Sequence, residues 1–97
     1  MKTSQLPHLS VNQMGKTFKV LHVTGSPGMD MPEHFCTGEA VLVVQRGSAV
    51  LRMKGEEYSL KQHDAILIPK EERHTLAIGE DFQSQVIMEV DAEIKFA

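Results

Sequence analysis

Apolar residues in this chain recur at every second position, in short runs, and no segment keeps a helical spacing over three turns. That pattern excludes a helical domain and demands strands. In KTFKVLHV (16–23), Phe18, Val20 and His22 fall on one face and Lys19, Leu21 and Val23 on the other. TGSPG (24–28) then reads as a turn. The stretches at 39–45 and 48–53 are strand-like, and the Arg46-Gly47 pair between them suits a hairpin. Lys54-Gly55 turns the chain into EEYSL (56–60), and 61–64 is a polar turn before AILIP (65–69). HTLAI (74–78), FQSQVIMEV (82–90) and AEIKF (92–96) complete the set, with Gly79-Glu80-Asp81 read as a turn. Short strands separated every few residues by turns predict an all-β sandwich or barrel.

Ninety-seven residues suffice for one domain. The expected division is an N-terminal arm over 1–15, polar and broken by Pro7, followed by a single barrel over 16–97. Such a domain buries only about two-thirds of its unfolded surface, so a bound metal or a second copy would add materially to its stability. The net charge is −3 and the basic residues are scattered, which argues against nucleic acid as a partner. The single cysteine allows no internal disulfide and fits a reducing compartment. MKTSQLPHLSVNQMGK lacks the apolar run of a secretory signal, and nothing approaches the ~20 apolar residues of a membrane span. A cytoplasmic location with no membrane partner is the default expectation.

Four residues carry the possible chemistry. His34, Cys36 and Glu39 cluster in one segment, and His74 stands far downstream. On a strand, residues two apart share a face, so His34 and Cys36 can address one ion. Gly38 permits a bend that would swing the Glu39 carboxylate to the same point. His74 heads an alternating strand with Leu76 and Ile78 on its own apolar side. Imidazole, thiolate and carboxylate together suit a divalent transition metal such as Zn, Fe, Ni or Mn. Each residue also has a plainer explanation: a hydrogen-bonded core histidine, a cysteine acting as a small hydrophobe, a solvated glutamate at a strand start. His22, on the face of Phe18 and Val20, is expected to be a core histidine pointing into the barrel. Met29 and Met31 are expected to fill core gaps near His34. A Cys36/His34 nucleophile pair lacks both an orienting third group and an oxyanion hole.

These residues stand in an order that resembles the two motifs of a small single-domain cupin. Gly28, then His34, Cys36, Glu39 and Gly47 follow the first motif, with Cys36 at its second histidine and spacings off by about one. His63, Pro69, Glu71 and His74 follow the second, with His63 and Glu71 where the family has glycine. The resemblance covers about residues 16–90. It implies a double-stranded β-helix, or jelly-roll, barrel, with His34, Cys36, Glu39 and His74 as the metal ligands. It also implies a small organic ligand or substrate in the barrel and a homodimer. Oxygenase, isomerase and decarboxylase chemistry are all compatible with it. Three readings follow: metal-supported binding or turnover of a small molecule, metal-free ligand binding or sensing, and an interaction module with a vestigial pocket.

Overall fold

The computed structural model describes residues 6–97 of the chain. Its strands are β1 (His8–Met14), β2 (Phe18–Gly25), β3 (Asp30–Cys36), β4 (Ala40–Met53), β5 (Glu56–Lys61), β6 (Ala65–Ile68), β7 (His74–Glu89) and β8 (Ile94–Phe96). All pairings are antiparallel. The expected all-β jelly roll is the architecture found. Residues 8–14 of the expected arm form β1 along β2, with Leu9 opposite Val23. Residues 1–5 of that arm lie outside the described part.

β4 and β7 organise everything else. They pair from Ala40↔Met88 to Met53↔His74 and bend together midway, so each belongs to two walls of the barrel. One wall runs β1-β2-β7-β4-β6, and the other runs β8-β3-β7-β4-β5.

The sequence expectations of a hairpin at Arg46-Gly47 and of a turn at Gly79–Asp81 are therefore corrected. The chain does not reverse at either place. It continues as one long strand whose register slips between Val44 and Ala49. Gly47 has φ +81°, and a Cβ there would sit 1.7 Å from the Asp81 carbonyl oxygen. The glycine thus lets two backbones touch where the strands turn from one wall to the other, a use that looks like turn chemistry in sequence. The real hairpin joins β4 to β5 through Lys54-Gly55, both with positive φ (55° and 75°). His63 and Glu71, the two positions where the resemblance expects glycine, also keep left-handed backbone, at φ 78° and 61°. Both turns thus use the left-handed backbone that favours glycine without having one, and the turn before His74 is one of them.

Alternation sorts the side chains. Leu21 and Val23 of β2, Leu42, Val44 and Leu51 of β4, and Leu76, Ile78, Phe82, Val86 and Met88 of β7 are buried inside. Val20 and His22 take the opposite, outer face of β2 and are half-buried, so His22 does not enter the barrel. On that outer face Leu67, Val41, Ile87 and Val20 are direct cross-strand neighbours and form an apolar row.

Because Gly47 touches backbone rather than a side-chain tip, Gly47→Ala cannot be absorbed by a rotamer change. It should lower the free energy of unfolding by roughly 3 kcal/mol, read from urea denaturation. An unchanged midpoint would show that the bend does not need this close approach.

Candidate functional site

β3 and β7 bring the two distant histidines together. His34 and His74 are direct cross-strand partners, and His34 is in turn the partner of Phe96 on β8. A bulge between Met31 and His34 resets the alternation of β3, so Met31 and His34 both face inward although three residues apart. From His34 the strand alternates normally, and Cys36 is inward and buried as well.

The imidazoles lie with ring centroids 4.1 Å apart at an interplanar angle of 63°. Phe96 covers the other side of His34, its ring tilted and 5.5 Å away. Each imidazole turns back onto the carbonyl two residues before it. His34 Nδ1 is 2.7 Å from Pro32 O, and His74 Nδ1 is 2.9 Å from Glu72 O. A carbonyl can only accept, so each Nδ1 carries the proton and donates it, and each Nε2 keeps its lone pair. The bulge that redirects β3 is also what presents the Pro32 carbonyl.

Burial keeps both rings neutral. Loss of hydration pushes the His34 pKa from 6.5 down to about 4, with the nearby His74 adding to the effect against the opposing Pro32 hydrogen bond. The His74 pKa is also lowered, again by burial, against the opposing pull of Glu72.

A cavity of about 40 Å³ adjoins the pair. Its walls are Leu9, Val23, Met31, Cys36, Ala40, Leu42, Leu51, Ile68, Leu76, Val86, Met88 and Ile94, with His34 and His74 as the polar members. This volume takes a few waters or a very small molecule. Anything larger has to displace side chains, and Met31 and Met88 are the ones best suited to give way. The Cys36 thiol lies 3.6 Å from the Met88 sulfur.

The four expected ligands are thus separated. His34, Cys36 and His74 line one cavity, whereas Glu39 is exposed and lines an outer groove with Phe18, Val41 and Leu67. Strand parity explains this. Ala40 begins β4 facing inward, so Glu39 beside it faces out, and Gly38 does not reverse the order. A methyl group therefore stands beside the cavity one position after the carboxylate. Among the described residues, no three His, Cys, Asp or Glu side chains converge as a metal site.

The sequence reading missed Leu9, Ile94, Met88 and Phe96. Val86 and Met88 share a face in the 82–90 alternation, which was a usable signal. The other three reach the site through strands at the chain's ends, and pairing between those ends leaves no local trace.

The geometry is consistent with what known proteins show. A sequence model described as the AraC-like ligand binding domain matches residues 20–88. No curated protein matches the sequence closely enough to count as a relative. Among solved structures, a cupin superfamily protein from Desulfitobacterium hafniense is similar with TM-score 0.79 and 15% identity, over 94% of this chain and 84% of that one. The DMSP lyase DddQ from Ruegeria pomeroyi gives TM-score 0.85 and 15% identity, over 95% of this chain and 52% of that one. Salicylate 1,2-dioxygenase from Pseudoaminobacter salicylatoxidans, as its G106A mutant, gives 0.80 and 14%, over 92% of this chain and 30% of that one. At these identities the likeness establishes the barrel and leaves the chemistry to be argued from the site.

Both histidines bind fewer protons folded than unfolded in the window just below pH 6.5, so stability there rises with pH. Their contribution is complete above about pH 6.5 and is lost as the pH falls towards the His34 value of about 4. Unfolding near pH 5 should take up protons, measured from the buffer dependence of the calorimetric enthalpy. Proton release there, or stability that improves on acidification, would contradict buried neutral imidazoles.

Proposed function

Since the chain belongs to the AraC-like ligand binding domain family, we propose that it is a small-molecule-binding domain. Its ligand enters the barrel interior, rests its apolar body on the Leu, Val and Met walls, and places its polar group against His34 and His74. The observation that carries this reading is the pair itself: two imidazoles with ring centroids 4.1 Å apart, each engaged through Nδ1, in an otherwise apolar cavity. Among the described residues neither Nε2 has a hydrogen-bond partner and neither is sealed off as an orphaned buried atom, so each is open to a donor brought by an occupant.

Binding is a better reading than turnover. The cavity walls contain no carboxylate, lysine, serine or tyrosine among the described residues, and acid–base chemistry would fall to the two imidazoles alone. The lyase and dioxygenase activities named above are those of the neighbours.

A second reading, a divalent ion, has one observation in its favour. Both Nδ1 atoms donate to carbonyls, as the free ring nitrogen of a metal-bound histidine usually does. The donor set does not fit the expected four ligands, because Glu39 lies outside and only His34, His74 and the Cys36 sulfur border the cavity.

A thermal-shift screen of small, mostly apolar compounds with a chelator present tests the proposal. At least one compound should raise the melting temperature, by the equivalent of about 2.7 kcal/mol at a hundredfold excess over its Kd. His74→Leu should abolish that shift while the variant remains folded by circular dichroism. Stabilisation that disappears in chelator, together with near-stoichiometric Zn, Fe, Ni or Mn in untagged protein, would replace this reading with the metal one.

A further inference from the structure

The polar lining of the cavity is one-sided. Among the described residues no lysine or arginine borders it, and the Cys36 thiol, a weak donor, faces the Met88 sulfur. The two imidazoles have spent their ring protons on Pro32 and Glu72. What remains to meet a ligand is a pair of acceptors. The ladder carbonyl and amide groups of the surrounding strands are held in the strand pairings.

We infer that the cavity selects a ligand whose buried polar group is a neutral hydrogen-bond donor, a hydroxyl or an amine N–H on a compact apolar body, and rejects carboxylates and other anions. The inference rests on the ligand-binding reading above and names the class of ligand.

Two costs drive the selection. A donor entering the site satisfies an Nε2 that is otherwise bare, whereas an apolar isostere leaves it unpaired. An anion would lie against lone pairs of the same sign, with no cation in the walls to offset its lost hydration. A site built to hydrogen-bond a substrate group discriminates strongly against the analogue that lacks it. Small ligands are favoured by the volume.

The test uses the wild-type protein at pH 7.5 and two matched probe series. The first is phenol, toluene and benzoate; the second, for a tighter cavity, is isobutanol, isobutane-saturated buffer and isobutyrate. Binding is read from perturbed methyl resonances of Met31 and Met88 and from melting temperature. The alcohol or phenol should bind at least tenfold more tightly than its carboxylate and detectably more tightly than its hydrocarbon. Equal binding of phenol and toluene, or benzoate binding as well as phenol, would overturn this inference while leaving the cavity a ligand site. No response to any probe in either series would remove the ligand-binding reading, and this inference with it.

Discussion

The continuous pairing of β4 with β7 is the constraint on which the rest of this molecule depends. Because both strands bend together near Gly47 and Glu80, one antiparallel ladder serves two walls, and the inward residues of each half face a common interior. The first half of β7 starts at His74. Its other edge is therefore free to receive β3, and that pairing sets His34 opposite His74. A change that straightened the bend would separate the walls, and the histidines would have no enclosed space to share.

The chemistry of the site follows from burial acting on two identical groups. Two charged imidazoles 4.1 Å apart in an apolar cavity would repel and lack hydration. The protein avoids this by leaving both neutral and by tying each Nδ1 to a carbonyl two residues back. The backbone thereby fixes ring orientation and tautomer, while burial, against the pull of those same hydrogen bonds, keeps the rings neutral. The result is a pair of oriented lone pairs surrounded by aliphatic and thioether groups, which suits recognition of a small guest more than proton transfer.

Much of this was legible in the chain. The two-residue periodicity identified the strands, and the His34/Cys36 spacing correctly placed both on the interior face. The two motifs correctly suggested that His74 would meet His34. Three things were not legible, for separate physical reasons. Gly47 looked like a hairpin residue and Gly79 like a turn residue because a bend between walls and a chain reversal ask the same freedom of the backbone. The parity of β2 was inverted at Phe18, Val20 and His22, because apolar residues lie on both of its faces and periodicity alone does not say which is inward. Glu39 was drawn towards the site by its spacing in the motif, but one residue of offset exchanges inside for outside on a strand, and Ala40 took the inner place.

The central claim is that His34 and His74 are neutral rings that donate through Nδ1 and present bare Nε2 atoms to one cavity. Long-range ¹⁵N–¹H spectra of the imidazole side chains at pH 7 address it most directly, since they distinguish the two tautomers and the imidazolium. Both rings should show a protonated Nδ1 and an unprotonated Nε2. A protonated Nε2 on either ring at that pH, or an imidazolium, would contradict the account.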